Sequence, residues 1–286
     1  MTQAFITLAT NDGYAQGALV LVHSLRATGT TKRVHCLISN EVSGPVRAEL
    51  EKNFDEVTVV DVFNSNDAEN LKLIGRPDLG VTFTKLHCWR LTQYTKAVFL
   101  DADTLVVKNV DDLFDRPDFS AAPDLGWPTT FNSGVFVFAP SLETYAALVN
   151  LAVSHGSYDG GDQGLLNDFF SNWWELPAAH RLSFSYNMTA GAFYTYPAAY
   201  KKYGADTKIV HFIGAQKPWN QSSESIHKGE HLQQWQQVYH QHVAAPEEVT
   251  PTQEERKQAW ETGHPDYLGR DAFVHIKEAL NKAVQE

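Results

Sequence analysis

Lys96-Ala97-Val98-Phe99-Leu100-Asp101-Ala102-Asp103-Thr104-Leu105-Val106 is the stretch on which the fold turns, because an apolar, β-branched run carries two aspartates in its middle. Side chains of a strand alternate between faces, so Asp101 and Asp103, two residues apart, point the same way. Two hard anionic oxygens on a rigid strand end suit Mg²⁺ or Mn²⁺, and such an ion completes its shell with substrate phosphates rather than with further protein groups. A diphosphate-bearing substrate is therefore expected. Asp-x-Asp arises about once by chance in a chain of this length, but a chance pair falls more often in a polar loop than between two β-branched runs.

Outward from this point the first half alternates short apolar runs with amphipathic stretches. Strands are expected over 4–9, 33–38 and 56–61, and helices near 14–27 and 43–52. This is the βαβ rhythm of an α/β domain with a mostly parallel central sheet and helices on both faces. Ligands in such sheets sit at the carboxyl ends of the strands. Thr10-Asn11-Asp12-Gly13-Tyr14, after the first strand, and Asp101-Ala102-Asp103 then belong to one rim. Later strands are expected at Phe131–Phe138 and Lys208–Gly214, with a helix from Gly161 to Phe170 between them.

At 286 residues and 43% apolar content the chain can bury one large core. A formal charge of −11 argues against nucleic acid or an anionic membrane as a partner, since both need extended Lys/Arg surfaces. Cys36 and Cys88, each among apolar neighbours, fit two buried thiols of a reduced protein. Met1-Thr2-Gln3 leads into a strand with no basic leader, and no apolar run reaches membrane-spanning length, so the expected location is cytoplasmic. After a Gln-rich helical stretch from His231 to Val243, Ala244 to Pro251 reads as a linker. Apolar residues return at Trp260, Tyr267, Phe273, Ile276, Leu280 and Val284, the last four at helical spacing. The expected boundaries are 1–243 for a catalytic domain, 244–258 for the linker and 259–286 for a short C-terminal helical tail.

Other residues carry chemistry in combination. A lone histidine in an apolar strand is more often a core residue, yet His211 stands beside Gly214, which lets a phosphate approach the backbone, and Lys217, which supplies positive charge. With two aspartates it completes a ligand set. Lys85, at the start of an expected helix among apolar neighbours, reads first as a snorkelling side chain. Asp159 and Asp162 frame a Gly-Gly turn before a helix: either Asp162 caps that helix, or it is a carboxylate that faces a sugar. Phe193-Tyr194-Thr195-Tyr196 sits in a tyrosine-dense stretch, which is packing or, on a mobile loop, a phenol acceptor.

Taken in order, Lys85-Leu86-His87-Cys88-Trp89, Phe99–Asp103, Phe131–Phe136, Asp159-Gly160-Gly161-Asp162-Gln163-Gly164 and His211-Phe212-x-Gly214-x-x-Lys217-Pro218-Trp219 resemble the motifs of the retaining, GT-A-fold glycosyltransferase family 8, in its self-glucosylating branch. The resemblance implies a single GT-A (Rossmann-like) domain and a UDP-glucose donor. It places Leu8, Thr10, Asn11, Tyr14, Arg76 and Ala102 around uracil and ribose. It assigns Mn²⁺, with Mg²⁺ as the alternative, to Asp101, Asp103 and His211, and the diphosphate to Lys217 and Gly214. Lys85, Asn132, Ser133, Asp159, Asp162 and Gln163 would surround the glucose, with Asp162 and Lys85 catalytic and Tyr194 the first acceptor of an attached glucan. Trp260–Phe273 resembles the branch's glycogen synthase-binding segment, and a homodimer is implied. Residues 220–245 do not follow the branch's pattern. Two readings compete with this one: a related retaining transferase with a separate small acceptor such as inositol, and a non-catalytic scaffold that recruits glycogen synthase through residues 260–286.

Overall fold

A computed structural model describes residues 2–73, 75–220 and 229–244, together with positions 257, 261, 262 and 277. The chain divides into two units, 1–244 and 245–286. The linker and tail expected over 244–258 and 259–286 lie almost wholly outside the described residues.

The first unit opens as its periodicity requires. β1 (Gln3–Ala9), β2 (Arg33–Ile38) and β3 (Glu56–Val59) are parallel, and β4 (Lys96–Leu100) adds in parallel to the other edge of β1. Both faces of β1 are buried, Phe5 and Ala9 in one cluster and Ala4 and Ile6 in the other, as alternation along a covered strand demands. α1 (Asp12–Ala27) covers the first face; it starts where Asn11 accepts a hydrogen bond from the Tyr14 amide at 3.1 Å. α2 (Gly44–Asn53) and the short α3 (Ala68–Leu73) follow in the crossovers.

Around and beyond β4 the fold departs from expectation in four ways. The strand does not run through Asp103: it ends at Leu100, and Asp101-Ala102-Asp103 is a turn closed by Thr104 N–H to Asp101 O at 3.0 Å and by the Thr104 hydroxyl to the same oxygen at 2.7 Å. β5 (Thr104–Val106) then leaves the central sheet for a second sheet, ordered β5-β9-β8, with β8 (Met188–Thr189) and β9 (Ile209–His211). Next, β6 (Ser120–Pro123) and β7 (Phe131–Phe138) complete the central sheet, order β3-β2-β1-β4-β7-β6, but β7 is antiparallel to β4. Its N-terminal end, not its carboxyl end, therefore meets Asp101, whose N–H donates to Gly134 O at 2.8 Å. Third, Lys85 does not start a helix but lies inside a 3₁₀ run, Pro77–Arg90, whose Val81, Thr82 and Thr84 disfavour a regular α-helix. Finally, the strand expected over 208–214 contracts to Ile209–His211.

α4 (Leu142–His155) and α5 (Asp162–Phe169) pack on the second face, where Trp89 stacks on Phe136 with centroids 5.4 Å apart. α6 (Ala192–Thr195) and α7 (Pro197–Tyr203) precede β9, and α8 (Glu230–His242) buries Leu232 and Trp235 in a third cluster with Leu105, Val210 and Phe212. Cys36 and Cys88 are both buried free thiols. Among the described residues, no helix is long and apolar enough to cross a membrane.

Candidate active site

The turn at 101–103 opens into a cleft of about 540 Å³, whose walls come from both halves of the first unit. From the first half come Leu8, Thr10, Asn11 and Tyr14, with Arg76 and Lys85 from the crossover before β4. Asp101, Ala102 and Asp103 form the floor, Asn132, Ser133 and Gly134 come from β7, and Asp159, Asp162 and Gln163 from the start of α5. His211, Gly214 and Lys217 close the far side. All seventeen donor-side residues expected from the sequence line this one cavity. Glu41, Leu79, Thr82, Asp124 and Ile213 also line it and carried no sequence signal. The backbone of Tyr194 lies in α6.

The charges are paired rather than scattered. Lys85 Nζ stands between two carboxylates, 2.9 Å from Asp101 Oδ1 and 2.6 Å from Asp162 Oδ2, and also donates to Ser133 O at 3.2 Å. Lys217 Nζ pairs with Asp103 Oδ2 and donates to Phe212 O at 3.3 Å. Burial alone would lower the Lys85 pKa, but the two carboxylates outweigh it and raise it, so the ammonium stays charged. Burial pushes Asp101 above the ordinary carboxylate range; Lys85 pulls the other way, and Asp103 and Asp162 add to the rise. Burial acts on Asp103 as well, yet there Lys217 and His211 prevail and hold the carboxyl well below its usual range.

The orientation of His211 follows from a backbone amide. Gly134 N–H can only donate, and it donates to Asn132 Oδ1 at 2.9 Å, which fixes that side chain. Asn132 Oδ1 also accepts from Asn187 Nδ2 at 2.7 Å, so Asn187 presents Oδ1 to His211 Nδ1 at 2.9 Å. His211 Nδ1 is thereby the protonated nitrogen, and Nε2 offers its lone pair to the aspartates, 3.2 Å from Asp103 Oδ1 and 3.8 Å from Asp101 Oδ2. Ligand atoms of Asp101, Asp103 and His211 lie within 4.8 Å of one another. The two lysines occupy Asp101 Oδ1 and Asp103 Oδ2, leaving Asp101 Oδ2 and Asp103 Oδ1 turned towards Nε2. Two carboxylate oxygens and one imidazole nitrogen oriented from behind fit a divalent cation. Gly134 is required there: a Cβ on it would lie 2.2 Å from His211 Cε1.

The carboxylates of the α5 turn divide their work. Asp159 accepts from the Ser157 hydroxyl at 2.7 Å and from Gly161 N–H and Gly164 N–H at 2.9 and 3.0 Å, so it shapes the turn while its edge faces the cleft. Asp162 is not the cap of α5; Gly161 holds that position and Asp162 is the first helical residue. Its N–H goes to Thr82 Oγ1 at 3.0 Å, and its carboxylate receives the Ser133 hydroxyl at 2.8 Å besides Lys85. Gln163 bridges Ser133 N–H at 3.2 Å and Asp124 at 2.5 Å.

Comparison with known proteins agrees with this geometry. The sequence profile of glycosyl transferase family 8 matches residues 5–118 and 116–223. Glycogenin-1 of Caenorhabditis elegans is 74% identical over 243 residues, 85% of this chain and 56% of the relative. Glycogenin-1 of Oryctolagus cuniculus is 44% identical over an alignment of 330 positions that covers 99% of both chains. Among solved structures, the galactosyltransferase LgtC, described in complex with donor and acceptor sugar analogues, superimposes with a TM-score of 0.59 at 20% identity over 86% of this chain and 98% of its own. That likeness is one of fold.

Proposed function

The chain belongs to glycosyl transferase family 8 and is a glycosyltransferase, and on that premise we propose that it is a self-glucosylating, retaining α-glucosyltransferase that uses UDP-glucose, starts on its own Tyr194 and extends an α-1,4-glucan primer for glycogen synthesis. The observation that carries this reading is the convergence of Asp101, Asp103 and His211 with Lys85, Asp162 and Lys217 in one cleft of a chain 44% identical to a glycogenin over its whole length.

In this reading Leu8, Thr10, Asn11, Tyr14, Arg76 and Ala102 hold the nucleoside, and Lys217 with the Gly214 backbone holds the diphosphate. Asp101, Asp103 and His211 would hold Mn²⁺, or Mg²⁺ in its place, which would supply positive charge at the diphosphate end. Lys217 adds a second positive charge to the same end. Breaking the anomeric C–O bond leaves positive character on the sugar, and the carboxylate of Asp162 is held ready to stabilise it. Lys85, 2.6 Å from its carboxylate, holds Asp162 in place, and with Asn132, Ser133, Asp159 and Gln163 lines the glucose side. The Tyr194 hydroxyl accepts the first glucose, and 4-hydroxyls of the attached glucan accept the later ones.

The same reading makes the protein a cytoplasmic homodimer that recruits glycogen synthase through Trp260 to Val284. The function is tested by intact-mass and peptide mass spectrometry after incubation with UDP-glucose, with and without Mn²⁺, beside Tyr194→Phe. A metal-dependent ladder of hexose additions on the Tyr194 peptide, absent from the variant, is expected. UDP-glucose consumption with no change in protein mass would place the acceptor on another molecule.

A further inference from the structure

A second cavity lies against the cleft. It measures about 270 Å³ and is lined by Tyr158, Trp174, Asn167 and Asp168 together with the 128–130 segment. Three separate elements contribute to both spaces. Asp124 lines the cleft while Pro128 to Thr130 line the cavity; Asp159 faces the cleft while Tyr158 faces the cavity; α5 gives Asp162 and Gln163 to one and Asn167 and Asp168, a turn further on, to the other. The same loop, turn and helix therefore line both spaces, on the side of the cleft that carries Asp159, Asp162 and Gln163.

Its lining is unusual for an exposed surface. Tyr158 is 49% exposed, Trp174 50%, and Trp127, beside Pro128, 94%. Tyr158 and Trp174 line one cavity rather than standing singly on the surface, and grouped exposed apolar side chains mark binding sites. Trp174 is also held in place. The Arg181 guanidinium lies 5.3 Å from its ring centroid and is anchored by the Trp174 and Leu176 carbonyls at 2.8 and 2.6 Å. Tyr158 stays a phenol: burial, then the charges of Asp159, Asp168 and Asp124, push its pKa up to about 12. The cavity thus offers aromatic faces, a hydroxyl donor, a carboxylate at Asp168 and the hydroxyls of Thr129, Thr130 and Ser171, while Asn167 is tied to the Phe131 and Gln163 backbone.

We propose that the Tyr158–Trp174 cavity is a subsite for an α-1,4-linked glucan that passes out of the cleft. A glucose ring presents an apolar C–H face to an aromatic plane and a belt of hydroxyls to carboxylate and hydroxyl groups, and this cavity supplies both. An apolar peptide would cover Asp168 without offering it a partner, and an anionic ligand would meet that carboxylate. The inference rests on the reading of the chain as a glucan-building transferase. It adds that a chain several glucoses long is held at a second point, so that extension continues after the first additions.

The test titrates maltoheptaose by calorimetry into full-length protein in a Tyr194→Phe background, where no self-attached chain competes. Trp174→Ala is expected to weaken binding about tenfold, and Asp168→Asn severalfold, with UDP-glucose affinity unchanged in both. In the wild-type background Trp174→Ala is expected to give the first hexose additions at the normal rate and a shortened ladder. Asp168→Asn carries the test alone if Trp174→Ala unfolds. Unchanged maltoheptaose affinity in the variants, or no binding by the parent protein while UDP-glucose still binds, would overturn the subsite. The proposed function is judged separately, by the mass ladder of the wild-type chain.

Discussion

The two halves of the catalytic unit are built by different rules. From Gln3 to Leu100 each strand pairs with a neighbour in a regular parallel register and each crossover lays a helix on a face. From Asp101 onwards partners are distant: Thr104 pairs with His211, Met188 with Val210, and Lys85 of the first half with Asp162 of the second. The first half is a scaffold specified by local pattern, and the second is closed by polar contacts that meet at the cleft. The difference teaches that chemistry here resides on the seam, so substitutions at the seam affect function and stability together.

Lys85→Met breaks the seam most directly. It removes the cation between Asp101 and Asp162 and leaves buried carboxylates uncompensated, which costs about 3–5 kcal/mol. Glucosyl transfer is expected to fall on the order of 10²–10³-fold. Urea unfolding beside a UDP-glucose turnover assay checks both, and a stability within about 1 kcal/mol of wild type would show that the two halves do not depend on this pair.

Asn187→Ala sharpens the comparison, since Asn187 meets the expected metal ligands only through His211 Nδ1, its other contact being Asn132 Oδ1. Loss of that partner frees the ring, and Mn²⁺ affinity is expected to weaken about 10–100-fold with the fold intact. Titration of Mn²⁺ followed by electron paramagnetic resonance measures this; equal affinities would mean that ring orientation is set elsewhere.

Smaller still is a pH effect rooted in the scaffold half. His35 is buried, 2.8 Å from Thr58 Oγ1 and 3.1 Å from the Tyr94 hydroxyl, and burial lowers its pKa below 6.5 despite Glu56. Burial lowers His87 in the same way. As pH falls below 6.5 the unfolded chain takes up protons at these sites and the folded chain does not, so stability declines towards acid by at most about 1.4 kcal/mol per pH unit for each group. The melting temperature should drop between pH 7.5 and 5.5, and His35→Gln should flatten the slope. A melting temperature that rises over this range would contradict the account.

The same division governs what could be read in advance. β2 and the helices flanking it follow the apolar period closely, because a covered parallel strand and an amphipathic helix write their burial into the sequence. The turn at Asp101–Asp103 was not legible as a turn, since Leu100 and Thr104 read as one β-branched run and only the pairing of Thr104 with His211 separates them. Its two carboxylates still converge, because a tight turn, like a strand, can bring residues two apart to one side. The 3₁₀ course around Lys85 and the antiparallel entry of β7 depend on contacts far along the chain. Asn187 and Asp124 left no trace because a single polar residue in a polar stretch has no period. Tyr158 and Trp174 read as scattered aromatics until the fold placed them in one cavity.

The claim that both halves jointly make the donor site is tested most directly by calorimetric titration of UDP-glucose into the wild-type chain, Asp103→Asn and His211→Ala, each with and without Mn²⁺. Metal-dependent binding by the wild type, lost in both variants while each still unfolds in one cooperative transition, at a lower melting temperature in Asp103→Asn where buried Lys217 loses its partner, is the predicted result. Binding of equal strength in all three proteins, or binding indifferent to Mn²⁺, would contradict it.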